Sequence, residues 1–433
     1  MKINIISLGC SKNLVDSEYL AGILSSKNYK LVYDYKIADC VILNTCGFIS
    51  SARREAKSYI NKLLKLKKIY NFKLLVIGCL AQLEKESLIK AYPQIDGVFG
   101  ISEYEKIINF LNIDGDSFAK SKVFVSSCDE FIFNSYSRLI STPKSYAYLK
   151  IADGCDNRCA YCLIPTIRGS YRERSVEDII KEAENIVRLG VKEIILISHD
   201  TAFYGFKLYK KPMLHKLLKE LSRLKDLFWI RFLYSHPAHI YDELIDVIKN
   251  NHKICKYFDI PIQHTSDKIL SLMKRPISRK QIFQLVEKIR KKIPNVTLRT
   301  TIMVGFPQET DHDFKTLYRD LKELEFDWLG SFIFSAQKNT KAWQLFPKVA
   351  PEVKKERYKQ IMLLQQKITY KKNLSHVGKI YEVLVDDKLF GHTEFQCPEV
   401  DGKTFFEFTP TNLIERVKIK STSNIYDLVG GLF

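Results

Sequence analysis

The chain has 433 residues, which is enough for about three domains that each bury a hydrophobic core. Lys and Arg outnumber Asp and Glu by 68 to 49, and the formal net charge of +19 is compatible with a phosphate-bearing partner such as RNA or a ribosome. The 46% of hydrophobic and 27% of charged residues exclude a disordered chain. No apolar run reaches the roughly 20 residues of a membrane helix. We therefore expect a cytoplasmic protein with no membrane partner.

Residues 1–125 alternate short apolar runs with helical patterns, which predicts an α/β domain with a parallel sheet. The predicted strands are 3–8, 41–43 and 74–77, and the predicted helices are 13–25, 50–67 and 83–91. One to three residues beyond the three strands lie Cys10, Cys46 and Cys79, here called the amino-terminal triad. Because the carboxyl ends of parallel strands share one edge of a sheet, we expect these thiols to meet there.

Residues 126–143 lose this rhythm and are predicted to be a linker. Six strand–helix units follow within residues 144–370, and they predict a partial (β/α)6 barrel that is open on one side. The predicted strands are 146–151, 193–197, 229–233, 257–260, 297–304 and 329–334. Ser175 is expected to cap the helix after the first strand, and Gly190 is expected to end it. Residues 371–433 contain short alternating runs, including 380–385, 404–408 and 415–419, and predict a small all-β barrel.

The most specific chemical signal is the segment CDNRCAYC, which directly follows the first predicted barrel strand. It contains Cys155, Cys159 and Cys162, here called the barrel triad. This spacing lets three thiolates ligate three irons of one cubane cluster, which leaves the fourth iron open for a substrate. A structural zinc site normally takes four ligands, often as two close pairs, and no second pair follows here. We therefore expect an iron–sulfur cluster, with zinc as the alternative.

The barrel triad, with Tyr161 before its last thiol, resembles the signature of the radical S-adenosylmethionine enzymes. The segments SLGCSKNLVDSE at 7–18, NTCGFI at 44–49 and GCLAQ at 78–82 resemble the amino-terminal domain of the methylthiotransferases. The terminal barrel is similar to the TRAM domain that ends those enzymes. The resemblance implies one [4Fe–4S] cluster on the barrel triad and a second on the amino-terminal triad, which presents or supplies sulfur. It also implies S-adenosylmethionine as methyl donor and radical source, and an electron donor such as flavodoxin or ferredoxin.

Further segments resemble the branch of this family that modifies an aspartate of small-subunit ribosomal protein twelve. They are SLGCSKN at 7–13, DTAFYG at 200–205, QHTS at 263–266, MKRP at 273–276 and PEVDG at 398–402. The implied reaction adds a methylthio group to the β-carbon of that aspartate. The ribosomal protein would be modified either free or as part of the ribosome or its precursor. The alternatives are a tRNA adenosine methylthiotransferase and, less favoured, a zinc-stabilised RNA-binding protein without catalysis. Three features depart from the family pattern and leave the substrate contacts open: His199, Leu83 and residues 335–340. The terminal barrel leaves them open too, because a barrel of this kind can bind either RNA or protein.

Superfamily members bind the cofactor at equivalent strand ends, so the resemblance also implies candidate contacts to S-adenosylmethionine. These are Tyr161, Ser198, Asp200, Gln263, Arg299 and Gly305. For each one, a role as a helix cap or loop anchor is an equal alternative. No protein general acid or base is expected, because a radical mechanism needs none to break the C–H bond, and His236 and His264 are expected to be structural. The remaining cysteines match no motif and are expected to pack as small apolar side chains: Cys40, Cys128, Cys255 and Cys397.

Overall fold

The computed structural model describes residues 1–101, 103–112, 122–128 and 138–433. In the first three of these ranges, six parallel strands form one sheet in the order β2-β1-β3-β4-β5-β6. The strands are β1 Lys2–Ser7, β2 Lys30–Leu31, β3 Cys40–Thr45, β4 Lys73–Gly78, β5 Gly97–Phe99 and β6 Val123–Phe124. The helices are α1 Ser11–Ser26, α2 Ser50–Tyr70, α3 Cys79–Glu84, α4 Glu86–Ala91 and α5 Tyr104–Asn112. The central strands β3 and β4 are buried along almost their whole length because helices cover both faces of a parallel sheet.

The predicted α/β sheet is confirmed, with two differences in its elements. The sequence predicts one helix over 83–91, but Lys85 has a φ of 46°, so the chain forms α3 and α4 instead. The strands β2, β5 and β6 have only two or three residues each, too few for a visible alternation of apolar residues.

The central region contains the six predicted parallel strands, in two sheets of order β11-β10-β7 and β12-β13-β14. Its strands are β7 Tyr146–Lys150, β8 Ala152–Asp153, β9 Arg172–Glu173, β10 Glu193–Ile197, β11 Trp229–Phe232, β12 Tyr257–Asp259, β13 Thr297–Val304 and β14 Trp328–Ile333. Its helices are α6 Ile164–Arg168, α7 Val176–Arg188, α8 Leu214–Ser222, α9 Asp242–Asn250, α10 Asp267–Leu272, α11 Arg279–Lys292, α12 Asp311–Leu324 and α13 Pro351–Leu374. The Ser175 hydroxyl accepts a hydrogen bond from the Asp178 amide at 3.2 Å, and Gly190 has a φ of 92°. Both predicted caps of α7 are therefore present.

The carboxy-terminal residues form a closed barrel of five strands, as the sequence predicts. The strands are β15 Ile380–Val385, β16 Phe390–His392, β17 Thr404–Phe406, β18 Ile414–Thr422 and β19 Leu428–Leu432. Their order around the barrel is β15-β16-β17-β19-β18. Closure leaves this small module without an exposed sheet edge.

The terminal barrel docks on the amino-terminal ends of the central strands through buried charges. Arg231 of β11 donates to Glu193 of β10 at 2.6 Å and to the Glu394 carbonyl at 2.8 Å. Glu193 also lies 2.7 Å from Nε2 of His392 in β16. The terminal barrel covers this end of the central strands. Contacts with the amino-terminal sheet and with ligands are therefore left to the carboxyl ends of the strands.

The predicted linker lies in part outside the described residues, which resume at Arg138. Its guanidinium donates to Glu18 of α1 at 2.8 Å and to Glu182 of α7 at 2.9 Å. These two ion pairs fix Arg138 between the amino-terminal domain and the central barrel. In the described ranges we find no helix whose length and apolar content would let it cross a membrane.

Candidate functional site

The amino-terminal triad lies at the carboxyl ends of three adjacent parallel strands. Ser7 at the end of β1 pairs with Asn44 of β3, and Thr45 of β3 pairs with Gly78 of β4. Cys10 precedes α1, Cys46 follows β3, and Cys79 is the first residue of α3. The structure therefore places the three thiols on the shared edge that the sequence predicts.

Two glycines show how closely the loops of this triad approach one another. A Cβ atom at Gly9, whose φ is 95°, would lie 2.6 Å from Cβ of Cys46. A Cβ atom at Gly47 would lie 2.8 Å from the carbonyl oxygen of Cys79. A side chain at either position would clash with the neighbouring loop. Glycine is therefore required for the loops beside the thiols to approach this closely.

The barrel triad lies in the loop between β8 and α6. The Cys155 amide donates to the Gly169 carbonyl at 3.2 Å, and the Cys162 amide donates to the Cys159 carbonyl at 3.1 Å. Cys155 is buried, while Cys159 and Cys162 are half-buried. The first bond ties the start of the loop to the residue after α6, and the second closes a short turn that contains Cys159 and Cys162.

Burial disfavours free thiolates in both triads. It raises the pKa of Cys155 to about 12, and negative charge on Asp200 and Cys159 adds to the effect. Burial also raises the pKa of Cys79 to about 12, although the Arg168 guanidinium opposes the shift. A bound cationic metal centre stabilises thiolates, so buried thiols of this kind suit a metal cluster better than a free nucleophile.

A buried cation connects the two triads. The five-residue helix α6 starts two residues after Cys162 and ends at Arg168, which is 2% exposed. One nitrogen of Arg168, Nη2, lies 3.4 Å from Cys79 Sγ and 2.9 Å from Asp16 Oδ2. The other, Nη1, donates to Asp153 Oδ2 at 2.7 Å. A single side chain therefore contacts the amino-terminal triad and β8, the strand that precedes the barrel triad.

Further charges complete the network around Arg168. Lys150 of β7 donates to Asp153 at 3.0 Å and also contacts Asp16. His199 Nδ1 lies 3.4 Å from Asp153 Oδ1, and burial holds the pKa of His199 well below its usual range. His199, which departs from the family pattern in sequence, is thus a neutral member of this network.

The sequence did not single out Arg168, Lys150 or Asp153. Charged residues in otherwise apolar segments are the one signal that could have drawn attention to them, since buried charges need partners. The partners could not be read from the chain, because Arg168 and Asp16 are 152 positions apart.

Asp200 organises the carboxyl end of β10, at what we call the barrel mouth, the ring formed by the carboxyl ends of the central strands. It accepts a hydrogen bond from Asn157 of the barrel-triad loop at 2.6 Å and from the His236 amide at 3.2 Å. His239 Nδ1 lies 2.7 Å from the same carboxylate. Ser198 accepts from the Asp200 amide at 3.0 Å, so it fixes the turn that carries Asp200.

Tyr161 lies in the loop of the barrel triad, and Gly305 directly follows the end of β13. The Tyr161 ring packs edge-on against Phe306 with centroids 6.4 Å apart. Gly305 has a φ of 73°, and its amide donates to Glu309 Oε2 at 2.7 Å. The backbone conformation at Gly305 is one that a residue with a side chain adopts only with strain.

Several buried polar atoms at the mouth have no hydrogen-bond partner within the described part of the chain. They are Oγ of Ser235, Nε2 of His236 and Oε1 of Gln263. These residues follow β11 and β12. Buried polar groups are almost always paired in native proteins, so this arrangement fits a polar ligand such as S-adenosylmethionine.

Arg299 is separated from the other candidate contacts. Its Nη1 donates to Asp259 Oδ1 at 3.0 Å, and its Nε lies 3.3 Å from Asp401 Oδ1 of the terminal module. Arg299 is the third residue of β13, whereas Gly305 follows the end of that strand. The structure places it at the interface with the terminal barrel.

The other cysteines lie outside the triads. Cys40, Cys255 and Cys397 are buried among core side chains. Cys128 donates to the Ile167 carbonyl of α6 at 2.9 Å. Among the residues that the structure describes, no three His, Cys, Asp or Glu side chains converge on a single ion. A cubane cluster is larger than an ion, and each thiolate binds a different iron, so its ligands do not meet at one point.

Comparisons with known proteins agree with this architecture. The model of the Radical SAM superfamily matches residues 149–321, and that of Uncharacterized protein family UPF0004 matches residues 2–100. The radical S-adenosylmethionine methyltransferase TsrM from Kitasatospora setae has a similar fold, with a TM-score of 0.59 and 13% identity over 76% of this chain and 72% of that chain.

Curated relatives match the whole length of the chain. The ribosomal protein uS12 methylthiotransferase RimO of Clostridioides difficile (strain 630) is 44% identical over 440 residues, which cover 99% of this chain and 98% of the relative. The protein of the same name from Acetivibrio thermocellus is 43% identical over 442 residues, with 99% and 98% covered. The chain belongs to the family of ribosomal protein uS12 methylthiotransferases, which are radical S-adenosylmethionine enzymes.

Proposed function

We propose that this enzyme uses S-adenosylmethionine and two [4Fe–4S] clusters to add a methylthio group to the β-carbon of an aspartate in ribosomal protein uS12. The observation that carries the proposal is the joining of two cysteine triads by α6 and Arg168 in a chain that matches uS12 methylthiotransferases end to end. The barrel triad would hold one cluster and the amino-terminal triad the other. Three thiolates per cluster leave one iron of each free for a ligand.

The chain's own contribution is to hold the two sites in a fixed relation. When bound, the clusters supply the electron that splits S-adenosylmethionine and a position for the sulfur that is transferred. The carbon radical on the substrate must react with that sulfur before it reacts with anything else. The two cluster sites therefore have to be close together and shielded from water. Cys79 packs against Ile167 of α6 and against Leu163, the residue before that helix, which ties the amino-terminal triad to the loop of the barrel triad.

For S-adenosylmethionine we propose binding at the barrel mouth by Tyr161, Ser198, Asp200, Gln263 and Gly305. Four of these residues follow strand ends, and Tyr161 lies in the loop of the barrel triad. The Gln263 oxygen also has no hydrogen-bond partner in the described part of the chain. Asp200 would act by fixing Asn157 and the histidines after β11 around the ligand. For Arg299 we propose a role in docking the terminal barrel, because it lies early in β13 and its Nε is 3.3 Å from Asp401 of that barrel.

Helix α2 of the amino-terminal domain contacts the segment that follows β14. Ser50 Oγ of α2 lies 2.9 Å from Ser335 Oγ, and Arg53 contacts Gln337. These contacts involve residues 335–340, the segment that departs from the family pattern. We propose that this segment borders the path by which uS12 reaches the mouth.

The proposal is tested by anaerobic reconstitution with iron and sulfide, followed by incubation with small ribosomal subunits, S-adenosylmethionine and a reductant. Mass spectrometry of uS12 should show a methylthio group on one aspartate. A Cys46→Ala variant is the matched control, because it should still split S-adenosylmethionine but leave uS12 unmodified. Incubation with tRNA covers the alternative: methylthio transfer to a tRNA adenosine with unmodified uS12 would replace the proposed substrate.

A further inference from the structure

Four exposed cationic side chains lie around the loop that carries the barrel triad. They are Arg158, Lys274, Lys338 and Lys341, here called the basic patch. Arg158 lies in the loop itself, directly before Cys159. The established activity of the family assigns no role to these four residues.

Backbone hydrogen bonds bring the three segments of the basic patch together. The Ala160 amide donates to the Met273 carbonyl at 2.9 Å, and the Ala342 amide donates to the Ala160 carbonyl at 2.8 Å. Lys274 and Lys341 are the direct neighbours of Met273 and Ala342 in sequence. The patch is therefore assembled on the triad loop by main-chain contacts, independently of its own side chains.

In residues 138–433, which the structure describes in full, no acidic side chain forms an ion pair with the patch. The Lys341 ammonium lowers the pKa of Lys274, with a smaller effect from Arg158. The carboxylate nearest in sequence, Asp156, is paired with Lys207 at 2.6 Å. Like charges held together without a counter-charge favour an anionic partner.

The patch also adjoins the barrel triad in sequence and in contact. Arg275, which follows Lys274, has Nη1 3.8 Å from Cys159 Sγ and is itself buried. Lys274 is therefore the sequence neighbour of a buried side chain that contacts this sulfur. Electron transfer between proteins weakens steeply with distance, so a donor to the barrel cluster has reason to dock here.

We propose that the basic patch is the docking surface for an acidic one-electron carrier protein that reduces the cluster on the barrel triad. The inference rests on the proposed iron–sulfur site. The reduced carrier would give up one electron and the oxidised cluster would accept it, with no bond formed or broken at the interface. Opposite charges would speed the encounter and orient the carrier toward the triad loop.

The test compares the reconstituted enzyme with the double variant Lys274→Glu/Lys341→Glu, using stopped-flow absorbance of the cluster. Reduced flavodoxin and reduced ferredoxin are the acidic carriers, and photoreduced 5-deazariboflavin is the small uncharged reductant. The matched control is Lys359→Glu/Lys367→Glu, which makes the same change of charge on the exposed side of α13. All three proteins should bind the same amount of iron.

Charge reversal in the patch should slow reduction by the carriers about tenfold or more at low ionic strength. The difference should shrink as salt is added. The control variant and all reactions with deazariboflavin should proceed at the wild-type rate. Equal carrier rates for the patch variant and the wild type would overturn the proposal, as would failure of both carriers to reduce the wild type.

Two further outcomes distinguish a carrier-docking surface from a ribosome-binding surface and from a missing cluster. If the patch variant loses affinity for small ribosomal subunits while its carrier rates are unchanged, the patch binds the ribosome and the proposal is wrong. If deazariboflavin reduces no cluster and the protein binds no iron, the proposed iron–sulfur site itself fails. The docking surface is therefore tested separately from the cluster on which it depends.

Discussion

Arg168 and Cys79 are 89 positions apart in the sequence, yet Nη2 of the arginine lies 3.4 Å from Sγ of the cysteine. Arg168 ends the short helix that follows the barrel triad, and Cys79 belongs to the amino-terminal triad. The contact joins two regions of the chain that have separate sheets. It gives a physical reason why these regions keep a fixed relative position.

The stability of this junction should depend on Arg168. In Arg168→Gln, the buried carboxylates of Asp16 and Asp153 lose one of their cationic partners, and only Lys150 remains for both. We expect the free energy of unfolding to fall by about 3 kcal/mol, as measured by urea denaturation of the apoprotein. Arg319→Gln is the control, since Arg319 is 68% exposed and lies 3.8 Å from Asp320. An equal, small loss in both variants would show that Arg168 does not hold the junction.

The two triads should have separable roles. Cys159→Ala should abolish cleavage of S-adenosylmethionine and lower the iron content by about half, because one of the two clusters loses a ligand. Cys46→Ala should lose a similar share of iron but keep the cleavage activity. Iron analysis and chromatography of 5′-deoxyadenosine measure both effects. Cys40→Ala, which removes a buried thiol outside the triads, should keep all of the iron.

Persistent 5′-deoxyadenosine formation by Cys159→Ala with a normal iron content would contradict the assignment of the barrel triad. Unchanged methylthio transfer by Cys46→Ala would show that the amino-terminal triad is not needed.

Docking of the terminal barrel should weaken at alkaline pH because of His392. Burial alone would lower its pKa, but the carboxylates of Asp386 and Glu193 overcome that effect and raise the pKa to about 9. The unfolded chain releases this proton near pH 6.5. Stability from the charged imidazole is therefore complete below pH 6.5 and is lost as the pH rises to about 9, by roughly 3 kcal/mol.

Urea denaturation between pH 6 and pH 10 measures this loss. His392→Gln is the control, because it removes the titrating group and should flatten the dependence within that window. The same slope in wild type and variant would show that another group causes it.

The Asp200 carboxylate should matter for binding of S-adenosylmethionine through the groups that it positions. In Asp200→Ala, Asn157 and His239 lose their acceptor, so we expect the KM for cofactor cleavage to rise about tenfold with a smaller change in kcat. Asp156→Asn lies in the same loop and pairs with Lys207 at the surface, so its KM should stay near the wild-type value. Equal KM values for the two variants would remove Asp200 from the proposed binding site.

The sequence predicts the helices and strands of this fold well where the apolar patterns are long and where capping residues mark the ends of the helices. The six barrel strands, the caps of α7 and the shared edge of Cys10, Cys46 and Cys79 follow from short-range patterns and from one rule of parallel sheets. The break at Lys85 was not predicted, because a single left-handed residue leaves no mark on an apolar pattern.

The functional junction could be predicted only in part. Its thiols lie in recognisable motifs. The contacts of Arg168 with Asp16 and Asp153 depend on the tertiary structure and cannot be inferred from a single sequence. Arg299 shows a different limit. Its strand was predicted correctly, but the residue lies early in that strand, and the contact with Asp401 of the terminal barrel depends on how the two modules dock.

The most direct test of the central claim is mass spectrometry of uS12 and of tRNA nucleosides from matched cells with and without this gene. We predict that the methylthio group on an aspartate of uS12 disappears with the gene and returns when the wild-type gene is restored, but not when Cys159→Ala is supplied. Unchanged uS12 together with loss of a methylthio group from a tRNA adenosine would contradict the proposed substrate.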